Sequence, residues 1–287
     1  MQKRKLFIGA FTLLLTLGLL VGCSTKVSNE NAVVPTATQD TGENTDAAKD
    51  SEKDLLTQIQ ERGKLLIGTE GTYAPYTYHD ETGELVGYDV EVAKAISEKL
   101  GIEAEFVESN WDALIAGLDA VRYDIVMNQV TITEERLAKY DFSSPYTISR
   151  AALIVGKENN EIKSFEDLKG KKSAQSLTSN YATLAEQYEA ELVSTDGSFS
   201  KAIELVSTGR AEATINDQVS FYDFLKQQPD APVMLVDTLD DASENAVLIR
   251  KGNDTFVEAI NKALDELTQD GTLSKISEKY FGADVTK

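Results

Sequence analysis

The chain has 287 residues, 41% hydrophobic and 26% charged, which is enough for one large domain or two modest ones around real cores. That composition excludes collagen-like, disulfide-stapled and wholly disordered chains. With 28 Lys and Arg against 48 Asp and Glu, the formal charge of −20 argues against a nucleic-acid binder, which needs clustered cations. A single His (His79) and a single Cys (Cys23) argue against a zinc site or a Cys/His nucleophile pair; no cofactor or metal is expected.

Lys3, Arg4 and Lys5 precede an apolar run over 6–21, the pattern of a secretory signal and too short for a comfortable membrane span. Its end, Leu20-Val21-Gly22-Cys23, resembles the lipobox of bacterial lipoproteins, and the resemblance implies cleavage before Cys23 and lipidation of that residue. Residues 1–22 are therefore expected to be a signal peptide. Residues 23–53, poor in large apolar side chains, read as the lipidated Cys and a disordered tether, because they cannot bury enough surface to offset chain ordering.

Beyond the tether, strands and helices alternate. Residues 64–70 form an apolar strand-like run, and Asp89 is placed to cap a helix to Leu100 with Val90, Ala93 and Ile96 on its stripe. A strand at 104–108 precedes a helix carrying Trp111, Leu114, Ile115 and Leu118, and a strand at 124–128 precedes a helix capped by Thr133. Further strands fall at 151–155, 172–176, 192–195, 213–217, 233–237 and 245–250. Helices begin at Asn180 and lie near 200–208 and 219–226, and the end is helical through Phe256, Ile260, Leu264 and then 272–280. This alternation predicts an α/β fold with predominantly parallel sheets covered on both faces, in two lobes.

In open parallel sheets a ligand sits beyond the carboxyl ends of the strands, and three such ends are polar. The first is Asn128-Gln129-Val130-Thr131, followed by Arg136 in the first turn of the next helix. A cation there opposes the helix dipole, so it either holds an anion or pairs with Asp141 or Glu134 on the surface. The second is Leu177-Thr178-Ser179-Asn180, an ordinary helix start that also offers hydroxyls and free amides. The third is Asp217, suited to an ammonium group or to capping the following helix. Together they provide what a zwitterionic amino-acid head requires. Tyr73, Tyr76, Tyr78 and Trp111 add aromatic faces; the spacing of Trp111 places it in a core stripe, and His79 falls in a polar turn.

The stretches Gly68-Thr69-Glu70-Gly71-Thr72-Tyr73-Ala74-Pro75-Tyr76, Gly87-Tyr88-Asp89-Val90-Glu91-Val92, Asp141-Phe142-Ser143-Ser144-Pro145-Tyr146, and the end from Gly271 to Gly282, resemble the solute-binding proteins of polar amino-acid ABC importers. The resemblance spans about 55–287. It implies a type II periplasmic-binding-protein-like fold, each lobe a sheet flanked by helices, with two crossover hinge strands near 147–152 and 240–247. The first lobe is expected over 54–149 and 244–287, the second over 150–243.

Carried over position by position, the resemblance makes Arg136 the carboxylate clamp, helped by Thr131 and Ser179. It gives Asp217 the α-ammonium, with Asn128 nearby, and makes Tyr73 and Trp111 the side chains that sandwich the ligand. Glu70 falls toward the ligand's distal end, with Gln129, and Asn180 completes the expected set. Asn128-Gln129 departs from the Ser-Ser common in basic-amino-acid binders. Trp111-Asp112, Asn128–Thr131 and the C-terminal heptapeptide resemble the cystine-binding branch. The implied partners are a polar amino acid, cystine first, and a permease with its ATPase. The implied protein is a monomeric binding protein, not an enzyme, lipid-anchored on the extracytoplasmic face of the membrane and free of nucleic acid. Two rivals remain: an extracytoplasmic dehydratase on this fold, with Glu70 as general acid, and an amino-acid sensor.

Overall fold

The computed structural model describes residues 53–286. The expected signal peptide, Cys23 and the tether through residue 52 lie outside the described residues. Helix α1 (Leu55–Arg62) starts at Asp54, whose carboxylate accepts from the Thr57 amide at 3.1 Å, and ends at Gly63. Then follow β1 (Lys64–Thr69), a three-stranded meander of β2 (Thr72–Tyr73), β3 (Thr77–His79) and β4 (Leu85–Val86), and α2 (Tyr88–Leu100). Next come β5 (Glu103–Glu108), α3 (Trp111–Asp119), β6 (Ile125–Val126), α4 (Glu134–Lys139) and β7 (Tyr140–Phe142). The chain leaves this region through β8 (Thr147–Ser149) and continues directly into β9 (Ala151–Gly156).

The second region adds a 3-10 turn at Phe165–Leu168, β10 (Lys172–Gln175), α5 (Asn180–Gln187), β11 (Glu191–Ser194), α6 (Phe199–Ser207), β12 (Ala213–Asp217), α7 (Gln218–Gln227) and β13 (Val233–Thr238). Strand β14 (Ser243–Asn245) leads back to β15 (Leu248–Arg250), α8 (Asp254–Gln269) and α9 (Thr272–Phe281). Two five-stranded sheets result, ordered β5-β1-β6-β15-β7 and β11-β10-β12-β9-β13. Between them β8 and β14 pair antiparallel, the two crossover strands of a two-lobed α/β binding fold.

The sheets are mixed rather than predominantly parallel. Strands β5, β1 and β6 run parallel, as do β11, β10 and β12, but β15 opposes β6 and β9 opposes β12. A parallel neighbour needs a long connection, whereas β9 follows β8 after one residue and β15 follows β14 after two. Each therefore enters its sheet from the crossover side, against the strands whose carboxyl ends point there.

Each sheet is covered on both faces. Val92, Ile96, Phe256, Ile260 and Leu264 of α2 and α8 pack on Ile67 and Ile125, while Leu114 and Leu118 of α3 cover Val126 on the other face. In the second sheet Ile154 joins the cluster with Ile203 and Phe221, and its neighbours Leu153 and Val155 join Phe165 and Ala185 on the opposite face. Each such buried side chain contributes about 1.5–3 kcal/mol.

One cap differs from the sequence reading. Helix α2 begins two residues earlier, behind Gly87, not behind Asp89. Gly87 has φ of 132°, and a Cβ there would sit 2.2 Å from the Tyr76 carbonyl oxygen, so only glycine fits. Asp89 is thereby released for another contact: buried in the first turn, it accepts the Gln129 amide at 2.8 Å and the Gln129 side-chain Nε2 at 2.7 Å.

Candidate ligand-binding cleft

The carboxyl ends of β1, β6, β10 and β12 converge between the lobes. They line a cavity of about 60 Å³ and, beside it, a cleft of about 790 Å³. The cavity exceeds several-fold the roughly 10–15 Å³ one water needs. Of the expected site residues, Glu70, Tyr73, Trp111, Asn128, Gln129, Ser179, Asn180 and Asp217 line the cavity. Thr131 and Arg136 line the adjoining cleft, and Ser179, Asn180 and Tyr181 border both.

Arg136 lies in the first turn of α4, whose cap Thr133 accepts the Arg136 amide at 3.2 Å. Its guanidinium does not reach the surface partners Asp141 or Glu134. It donates to the Thr131 carbonyl at 2.9 Å and lies 5.4 Å above the Trp111 ring, a cation–π contact. Among the described residues no carboxylate stands within 4 Å of it. Burial lowers its pKa to about 10, the nearby Glu135 carboxylate working in the opposite sense.

Of the two roles the sequence left open to Asp217, the structure shows the helix cap. Asp217 caps α7, accepting the Val219 amide at 2.9 Å and the Ser220 amide at 3.2 Å, and it receives the Tyr76 hydroxyl at 2.7 Å from the first lobe. These three bonds all fall on Oδ1. Only 1% exposed, its carboxyl is pushed upward by desolvation, against bonds from Ser149 and Tyr76. Tyr181 lies within the electrostatic reach of both Asp217 and Arg136.

Glu70 directly follows β1, at 8% exposure. Its Oε2 receives Asn128 Nδ2 at 2.6 Å, while Asn128 Oδ1 accepts the Glu70 amide at 2.9 Å. Desolvation raises its pKa to about 7, opposed by bonds from Asn128 and the Trp111 backbone. Asn128 is thus committed at both ends of its amide to holding the Glu70 loop. Thr131 is committed too: its hydroxyl donates to Asn245 Oδ1 at 2.9 Å, on the crossover strand. Gln129, at φ of 51°, is held there by Asp89 and touches Thr147 of β8 at 3.2 Å. Two polar atoms of residues that border the cavity, the donor Trp111 Nε1 and the acceptor Gln129 Oε1, are buried without a partner among the described residues.

Trp111 is 6% exposed on the stripe with Leu114 and Leu118, as its spacing predicts, and is also among the residues that line the cavity. His79 is tied rather than freely solvated: one ring nitrogen lies 3.1 Å from the Gly71 carbonyl and the other 3.3 Å from Glu108. Asn216, Tyr181, Asp112 and Asn245, absent from the expected set, also line the cavity or the cleft, and Tyr76 supports Asp217 from behind it. The Tyr73 hydroxyl donates to Asn216 at 2.9 Å, and Ser220 Oγ to the Ala74 carbonyl at 3.0 Å. With the Tyr76–Asp217 bond, these contacts join the lobes, so the cleft is shut in this structure.

A hinged two-lobed α/β chain with a polar, buried cleft at its strand ends is a binding protein for a small polar solute. Residues 65–283 match the bacterial extracellular solute-binding proteins, family 3, and the chain belongs to that family. It is 44% identical over 247 residues to the L-cystine-binding protein TcyA of Bacillus subtilis, covering 85% of this chain and 91% of that one. Among solved structures, an ancestral arginine-binding protein bound to arginine superposes with a TM-score of 0.72 at 40% identity, covering 77% of this chain and 99% of that one. The L-cystine solute receptor of Neisseria gonorrhoeae in its unliganded open conformation gives 0.54 at 44% identity, over 81% of this chain and 99% of that one. The better superposition on the less similar but ligand-bound chain agrees with the shut cleft.

Proposed function

We propose that this chain is the binding component of an amino-acid ABC importer, lipid-anchored through Cys23 and a tether over 23–53, and that its ligand is a polar amino acid with two polar ends, L-cystine first. The observation that carries the reading is the charge pattern of the cleft: a buried guanidinium, Arg136, and buried carboxylates, Asp217 and Glu70, none with an ionic partner among the described residues. A buried charge without a partner is costly, and a zwitterion answers both signs at once.

In this reading Arg136, with Ser179, holds the α-carboxylate and Asp217 the α-ammonium, while Tyr73 and Trp111 flank the ligand. Glu70, Gln129 and Asn180 face its far end, with Asn128 holding Glu70 in place. The chemistry of that far end favours cystine over arginine. A guanidinium only donates, whereas the residues lining the cavity include donors, such as the Asn180 side-chain amide and the Ser179 hydroxyl, as well as the acceptors Glu70 and Asp217. A second zwitterionic head satisfies both kinds of group. The 44% identity to TcyA of Bacillus subtilis supports the same choice.

Two or three charge-assisted hydrogen bonds of about 1.5–3 kcal/mol each, with ring contacts, reach the roughly −8 kcal/mol of micromolar affinity. Groups from both lobes on one ligand make the shut form its preferred state, and a permease reads that shift. The lobes divide at 149/150 and 243/244, in the crossover strands, and the protein acts as a monomer. One observation favours a second reading: a cleft carboxyl titrating near 7, Glu70, also suits the general acid of a dehydratase. A thermal-shift panel of amino acids on the full chain, run beside a turnover assay on cyclic hydroxy acids, separates the two. A ligand at a hundredfold over Kd adds about 2.7 kcal/mol of stability. A rise with cystine and none with arginine supports the proposal; turnover, or no rise with any amino acid, refutes it.

A further inference from the structure

Asp112 is the second residue of α3, in the first lobe, and lies outside the set of groups proposed to hold the ligand. Its Oδ1 receives three hydrogen bonds from one loop of the other lobe: Ser176 Oγ at 2.7 Å, Thr178 Oγ1 at 2.8 Å and the Thr178 amide at 3.3 Å. Among the described residues no cation lies within 4 Å of it. All of its recorded bonds therefore reach across the cleft.

A second loop of the same lobe reaches the same helix end. Gly197, between β11 and α6, sits at φ of 97°, where a Cβ would stand 3.2 Å from the Trp111 amide nitrogen and 3.4 Å from the Trp111 Cβ. A glycine there lets the loop close to backbone contact with α3. The two loops, one after β10 and one after β11, thus seat on residues 110–112 from either side.

The geometry points to Asp112 as an interlobe latch, a positioning residue that sets how long the shut cleft retains its ligand. A carboxylate accepting three donors from the opposite lobe stabilises only the shut form, because in an open cleft both partners are taken over by water. Its loss therefore lowers affinity through faster opening and release, with association little changed. The inference rests on the proposed function in taking the shut form as the ligand-holding one.

The test uses the full chain, its Asp112→Ala, Asp112→Asn and Thr178→Val variants, and the double Asp112→Ala/Thr178→Val variant. L-Cystine and L-arginine are the probes, followed by calorimetry and by stopped-flow dissociation. Asp112→Ala is expected to weaken binding on the order of ten- to a hundredfold, nearly all in the dissociation rate, with Asp112→Asn recovering part of the loss. Adding Thr178→Val to Asp112→Ala is expected to cost little more, because the shared bonds are already gone. Binding by Asp112→Ala within twofold of the parent, or losses that simply add, overturns the latch. If neither probe binds the parent, the ligand assignment fails, and the latch is judged by small-angle scattering: a larger radius for Asp112→Ala than for the parent supports it, and equal radii overturn it.

Discussion

Replacing Glu70 with Gln isolates the electrostatic cost of the cleft. Glu70 is 8% exposed, receives one strong side-chain bond from Asn128, and has no cation within 4 Å among the described residues. Burial carries its pKa from the ordinary 4.5 to about 7. A folded-state pKa above the unfolded one means the native chain binds more protons between these values. The stabilisation is then complete below about pH 4.5 and is lost as pH rises through 7. At 1.36 kcal/mol per unit, the parent gives up about 3 kcal/mol by pH 8 that Glu70→Gln, which never ionises and still accepts from Asn128, retains. For a chain of this size that corresponds to a melting difference of about 6–12 °C at pH 8, shrinking toward zero at pH 5. Asp89, also raised to about 7 by burial, titrates in both chains and cancels in the difference. Melting curves of parent and variant at four pH values between 5 and 8 measure it. A difference that stays flat with pH, or one that grows toward acid, refutes the reasoning.

Two further changes probe the scaffold that aims the cleft. Asp124 pairs with Arg62 and accepts the Leu66 amide at 2.8 Å; Asp124→Ala strands that buried amide, while the part-exposed Arg62 keeps its bonds to the Lys64 carbonyl, so a cost of about 1–3 kcal/mol is expected in urea denaturation; a loss under about 0.5 kcal/mol contradicts it. Gly87→Ala forces a Cβ against the Tyr76 carbonyl at a φ that L-residues avoid. It is expected to destabilise by at least about 2 kcal/mol and to weaken binding, since Tyr76 also bonds Asp217; an unchanged melting temperature contradicts it.

Local pattern carried much of the fold. The apolar spacing of α3 and α8, the Thr133 cap and the polar strand ends are properties of neighbouring residues, and all are legible in order along the chain. What escaped is what depends on residues far apart. Asp89 has the composition of a helix cap, yet its partner Gln129 lies forty positions away and Gly87 starts the helix instead. The direction of β9 and β15 is set by the side from which the crossover strands arrive, a feature no hydrophobic period encodes. Asp112, Tyr76 and Asn216 gain their partners only when the lobes meet, over separations of 64 to 143 residues. Asn128 and Thr131, expected to face a ligand, spend their side chains on Glu70 and Asn245.

The opposed charges of the cleft are the centre of the proposed function, and calorimetric titration of L-cystine into the full chain, Arg136→Ala and Asp217→Asn addresses them together. Asn at 217 keeps the α7 cap, so a loss of binding there reports the charge and not the helix. Micromolar binding by the parent, a loss of at least about a hundredfold in Arg136→Ala, and about tenfold or more in Asp217→Asn are expected. Undiminished affinity in both variants would contradict a zwitterion held between these two groups.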